Sequence, residues 1–190
     1  MAADFAAARE NMVESQIRTA DVTDLDLTDA TRVVPRETLV GPGKAHAAYA
    51  DTEVEYAPGR WLMRPRDVAK LLQALGPKAG DKALAIAAPY AAAVLEQMGL
   101  SVERLDGEDL TAVAGAGYDL IICEGAVSAA PKAWTDALAV HGRLGLVERT
   151  GPVGRAMTYI RSGDGVGGRS VFDSAAPLLS QFAPKAAFAF

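Results

Sequence analysis

The chain predicts an α/β fold with a mainly parallel sheet, because short apolar strands alternate with helices through its second half. Tyr118 to Cys123 reads as a strand buried on both faces, the expected centre of a parallel sheet. Apolar segments on either side of the glycine-rich stretch Gly163 to Gly168 add a late antiparallel hairpin. The 190 residues suit one domain: residues 1–80 as an N-terminal helical segment packed on the sheet, residues 81–190 as the sheet core.

Residues 4 to 20 place Phe5, Ala8, Met12, Gln16 and Thr19 in one helical spacing class, with Val13 and Ile17 beside it. Asp21 offers a cap for a short helix over Val22 to Val33, which Val34-Pro35-Arg36-Glu37 breaks. Gly41-Pro42-Gly43 is a turn, and residues 44 to 58 predict a short helical piece, then irregular chain ending at Pro58-Gly59. Pro65 opens an amphipathic helix carrying Val68, Leu71, Leu72 and Leu75, closed by Gly76-Pro77. Lys82 to Ala87 predicts a strand, Pro89 to Met98 a helix closed by Gly99, and Leu100 to Leu105 a strand. After the Tyr118 strand come a helix over Lys132 to Val140 and a strand over Arg143 to Glu148. Ala156 to Arg161 and Ser170 to Phe172 are the hairpin strands, and Phe188-Ala189-Phe190 reads as a last strand or edge.

Composition removes several classes of function. A net charge of -5 argues against nucleic acid or anionic lipid as a partner, since both need basic clusters. The lone Cys123 excludes a disulfide framework or a cysteine-rich zinc site, and it reads as a buried, inert thiol. His46 and His141 lie far apart and form no metal-binding spacing. No apolar run is long enough to span a bilayer and the N-terminus lacks a signal-peptide core, so the expected location is cytoplasmic.

Asn11-Met12-Val13-Glu14-Ser15-Gln16-Ile17-Arg18 resembles the opening helix of the protein-L-isoaspartate O-methyltransferases, which favour M-V-x-x-Q-[IL]-R. Val33-Val34-Pro35-Arg36-Glu37, then Tyr118 to Ile122 through Pro131, then His141-Gly142-Arg143-Leu144 resemble further family segments in the same order. Arg155 to Arg161 and Val171-Phe172-Asp173 fit a bacterial branch. The resemblance covers nearly the whole chain and implies a Rossmann-like S-adenosylmethionine-dependent methyltransferase fold.

The resemblance also shows what is altered. The family carries a D-x-G-x-G-x-G turn after its first core strand, where glycines let backbone amides approach the methyl donor. Here that place reads Ala83-Leu84-Ala85-Ile86-Ala87-Ala88-Pro89-Tyr90, with no glycine and no acid. Pro89 has a sufficient structural role at the first position of a helix. Asp106 stands where the family's ribose-binding acid would be, although the acidic turn Gly107-Glu108-Asp109 equally suits a solvated loop. The short span from Asp106 to Tyr118 leaves no room for the helix and third strand of a full methyltransferase, so one edge strand should be missing.

Aligned on Pro65, Met63 replaces the serine of the family's acceptor loop, and with Trp61 it reads as a core or pocket-filling residue. Arg60, Arg64 and Arg66 could hold a substrate carboxylate or a partner's acidic patch, or simply be solvated. Glu124, at the end of the Tyr118 strand, could be a general base but has no visible partner. No catalytic residue is assigned. The expected protein is a family member that has lost S-adenosylmethionine binding and acts as a binding or regulatory protein, its partner another protein or a second copy. No cofactor is then expected, and the donor crevice should be shallow, partly filled by Pro89 and Tyr90. The alternatives are an active carboxyl methyltransferase holding S-adenosylmethionine in an altered pose, and a crevice for a smaller nucleotide or metabolite.

Overall fold

The computed structural model describes residues 4–183, so the expectation for Phe188-Ala189-Phe190 lies outside the described residues. The predicted first helix is one helical path with changing pitch. Helix α1 (Phe5–Met12) is capped by Asp4, whose carboxylate accepts from the Ala7 amide. The path widens to a π turn over Val13–Ile17 and tightens to a 3-10 turn over Arg18–Ala20. Asp21 does not cap the next helix, as its position suggested. It ends the first one in a left-handed conformation, φ 64°, and Asp24 caps α2 (Leu25–Val33) by accepting from Leu27.

The chain leading to Pro58-Gly59, expected to be irregular, instead forms a hairpin of β1 (Val54–Ala57) with β2 (Arg60–Leu62). Pro58-Gly59 is its turn, with Gly59 at φ 70° and packed against Ser180. Helix α3 (Pro65–Leu75) follows as predicted, burying Val68, Ala69, Leu71, Leu72 and Leu75. Each large aliphatic side chain so buried stabilises the fold by roughly 1.5–3 kcal/mol.

The core alternates through β3 (Lys82–Ile86), α4 (Pro89–Gln97), β4 (Ser101–Leu105), β5 (Tyr118–Val127), α5 (Lys132–Asp136), β6 (Leu138–Glu148), β7 (Gly154–Ser162) and β8 (Gly165–Ser174). The strands form one sheet in the order β4-β3-β5-β6-β7-β8, parallel up to β6 and antiparallel beyond it. The predicted helix over Lys132 to Val140 is corrected to a five-residue α5, because Leu138 already pairs with Tyr118. The late hairpin strands extend into the glycine-rich stretch, which pairs along β8 instead of looping out.

Neither helix nor strand occurs between Gly107 and Gly117, so β4 is the sheet edge and the edge strand is missing, as expected. The loss falls on one face of the sheet. Helices α3 and α4 cover the face presenting Ala83, Ala85, Leu120 and Ile122. The opposite face presents Leu84, Ile86, Ile121 and Cys123, and its cover is assembled from Leu110, Trp134 and Leu179. The Trp134 indole donates to the Leu110 carbonyl at 2.7 Å and meets the Phe182 ring edge-on. Loop, short helix and C-terminal segment together do what a full crossover helix would do.

Candidate functional site

Ligands of open α/β sheets bind at the carboxyl ends of the parallel strands where the strand order reverses, here between β3 and β5. At the end of β3 the chain makes the turn expected of a glycine, with Ala87 at φ 45°. A left-handed residue with a Cβ costs about 1–2 kcal/mol, so the backbone keeps the turn while the side chain strains it. Ala87 and Ala88 are fully buried, and their methyls occupy the surface that bare backbone would offer. Pro89 sits at the first position of α4, as expected.

The α4 N-cap residue, Ala88, supplies no side-chain cap. Glu124 does so from β5. One of its carboxyl oxygens accepts from the Ala91 amide at 2.7 Å and the other from the Met63 amide at 3.1 Å. Glu124 is wholly buried, and burial pushes its carboxyl above the usual range despite the lowering effect of Arg36 and of these amides. Arg36 is equally buried, donating to the Ala48 carbonyl at 2.7 Å and to the Met63 carbonyl. The Met63 backbone thus joins the two: its N–H serves Glu124 and its carbonyl serves Arg36. The Arg36 guanidinium lies 4.5 Å from the Tyr90 ring centre. Tyr90 therefore points into the core beside Arg36, not into the crevice as expected.

The mouth of the crevice is also held. Asp106 and Arg60, candidates for cofactor and substrate respectively, are brought together at 2.7 Å. The Tyr56 hydroxyl donates to the same Asp106 oxygen at 2.9 Å, and Arg60 also donates to the Gly107 carbonyl. Hairpin β1–β2 is thereby fastened to the end of β4. Arg64 is paired with Glu53 at 2.9 Å and Arg66 with Asp51 at 3.2 Å, so the basic cluster is neutralised residue by residue. Met63 is buried, as expected of a core residue, whereas Trp61 is half-exposed.

From the other side the C-terminal segment crosses the strand ends. Leu179 donates its amide to the Ala126 carbonyl, while the Ala126 amide donates to Pro177. The Leu179 side chain lies directly on Gly125, φ 116°, where a Cβ would approach it to 2.8 Å. The Gln181 carboxamide then bonds the Leu110 amide and Asp109, both at 2.8 Å. Sequence reasoning missed this cover, as it missed Glu124 as a cap. The isolated strand-end acid Glu124 was visible, but its partners lie far away in the chain.

Sheet order, covering helices and a switch point between β3 and β5 define a Rossmann-like methyltransferase fold. No family model matches the chain. A protein-L-isoaspartate O-methyltransferase of Methylorubrum populi is 31% identical over 175 residues, covering 78% of this chain and 82% of the relative. One from Rhodopseudomonas palustris is 32% identical, covering 75% and 70% respectively. A third, from Methylorubrum extorquens, is 38% identical over 105 residues, a match spanning 46% of that relative. The chain belongs to the protein-L-isoaspartate O-methyltransferase family. A Plasmodium falciparum structure described as such an enzyme, in complex with S-adenosyl-L-homocysteine, superposes with a TM-score of 0.73 at 16% identity, over 91% of this chain and 98% of that one, and so supports the fold.

Among the described residues no group of His, Cys, Asp or Glu is arranged to hold a metal ion, and no helix is long and apolar enough to cross a membrane.

Proposed function

We propose that this chain is a family member that no longer holds S-adenosylmethionine and serves as a cytoplasmic binding or regulatory protein. The observation that carries this reading is the carboxyl of Glu124 bonded to the amides at the α4 N-terminus, beneath a turn whose methyls are buried. A donor bound in the family's manner needs amides and open backbone at that place, and here the protein's own groups fill both. The residues present do not fit the cofactor, so no methyl transfer is derived through it. Arg60 paired with Asp106, and Arg64 with Glu53, likewise leave no free cation aligned for an acceptor carboxylate at the hairpin. The proposed partner is another protein or a second copy of the chain, not nucleic acid.

A radiolabelled methyl-transfer assay with an isoaspartyl peptide tests this. The purified protein is expected to give no turnover above background. Holding donor and acceptor in line can supply roughly 7–11 kcal/mol of barrier reduction, and without either holding device that contribution is lost. Turnover abolished by Asp106→Ala would establish the opposite: an active enzyme with Asp106 gripping the donor.

A further inference from the structure

A second depression lies at the carboxyl edge, away from the β3–β5 switch point, where β5 and β6 end and β7 begins. It encloses about 300 Å³ and is lined by Ser128, Thr150, Val153, Arg155, Met157 and Ser170, with Glu148 and Arg149 in its wall. The space suits one or two side chains and is small for a cofactor. Its charge balance differs from that of the hairpin cluster.

Among the described residues Arg155 has no carboxylate within 4.0 Å, although Glu148 and Asp173 both pair opposite it in the sheet. Glu148 is engaged elsewhere: one oxygen accepts both the Ala130 amide at 2.9 Å and the Tyr159 hydroxyl at 2.6 Å. The Arg149 guanidinium is bonded only to carbonyls, those of Gly151, Pro152, Ala175 and Ala176, which orient it without cancelling its charge. The depression therefore holds one guanidinium with open donors facing solvent and a second fixed in its wall, with Glu148 as the carboxylate of its lining. Ser128, Thr150 and Ser170 are exposed, and among the described residues none of their hydroxyls bonds a protein group. Val153, 61% exposed, and half-buried Met157 form an apolar side.

We propose that this depression is a recognition site for an acidic peptide segment, in which a carboxylate meets Arg155 under the field of Arg149 and a neighbouring aliphatic side chain lies on Val153 and Met157. A guanidinium with open donors favours planar, bidentate carboxylate capture, and the apolar wall favours a peptide over a small inorganic anion. The site does not depend on whether the β3–β5 crevice accepts S-adenosylmethionine, because no lining residue is shared with Ala87, Glu124 or Asp106.

The test is fluorescence anisotropy of the full chain with a labelled Leu-Asp-Leu-Glu-Leu peptide, compared with its amide counterpart Leu-Asn-Leu-Gln-Leu. The acidic peptide should bind saturably and more weakly as salt rises. Arg155→Ala should weaken it about tenfold, the effect of losing one charge-assisted contact. Arg169→Ala should leave binding unchanged, since register places Arg169 opposite Thr158 and on the other face from Ser170. Equal binding of the two peptides, indifference to Arg155→Ala, or no binding at peptide concentrations on the order of 1 mM would each overturn the proposal.

Discussion

The two faces of the sheet are built differently. One is covered by α3 and α4, regular helices legible from the apolar spacing of the first and from Pro89 and Gly99 at the ends of the second. The other lost its crossover helix and edge strand, and is covered by Leu110 from a loop, Trp134 from a five-residue helix and Leu179 from the C-terminal segment. A core can therefore survive deletion of a whole element, provided scattered side chains restore the buried area. The covering C-terminal segment crosses the carboxyl edge, which is where ligands of open α/β sheets bind.

The comparison makes its strongest demand on the improvised face. If that face bears the core as fully as the helical one, Trp134→Ala should destabilise by about 3–5 kcal/mol and Leu72→Ala by about 2–5 kcal/mol. Denaturant unfolding measures both, and a loss below about 1 kcal/mol for Trp134→Ala would mean that the second face is loosely held.

Disturbing the buried carboxyl that ties the hairpin to α4 and β5 should cost somewhat less. Glu124→Gln replaces one acceptor oxygen with an NH2 donor, so either the Met63 or the Ala91 amide loses its acceptor, for an expected loss of about 1–3 kcal/mol. The pH dependence sharpens this. Burial raises the Glu124 carboxyl in the native state, so the folded chain binds that proton more tightly than the unfolded one. Its contribution is fully present below the ordinary carboxyl range and is lost as pH rises through the raised native value. Unfolding at about pH 5 and about pH 8 should therefore show wild type losing more stability over that interval than Glu124→Gln.

The smallest effect belongs to the turn. Ala87→Gly relieves a left-handed alanine but adds chain entropy to the unfolded state and removes a buried methyl, so stability should change by less than about 1 kcal/mol. A larger loss in thermal unfolding would show that the Ala87 methyl is a packing element in its own right.

The legible parts were those with local causes. Strand and helix alternation, Pro89 at the start of α4, the missing strand after Asp106 and the stripped glycine turn all follow from neighbouring residues. The hairpin β1–β2 could have been found from Pro58-Gly59 between Val54-Glu55-Tyr56 and Trp61-Leu62, a proline–glycine turn flanked by strand formers. Helix α5 ended early because pairing with Tyr118, twenty residues back, outweighs helical spacing in Leu138 to Val140. The site was less legible because its bonds span the chain. Asp106 meets Arg60 across 46 positions, Glu124 meets Met63 across 61, and Leu110 meets Gln181 across 71.

Closure of the donor edge is the central claim, and calorimetric titration of the purified chain with S-adenosylhomocysteine tests it most directly. The product analogue needs the same amides and the same open turn as the methyl donor, but requires no acceptor and no chemistry. With Glu124 on the α4 amides and Leu179 on Gly125, no saturable heat is predicted at ligand concentrations on the order of 1 mM. A one-to-one isotherm with a dissociation constant on the order of 1 μM would contradict the account and return the chain to the working methyltransferases.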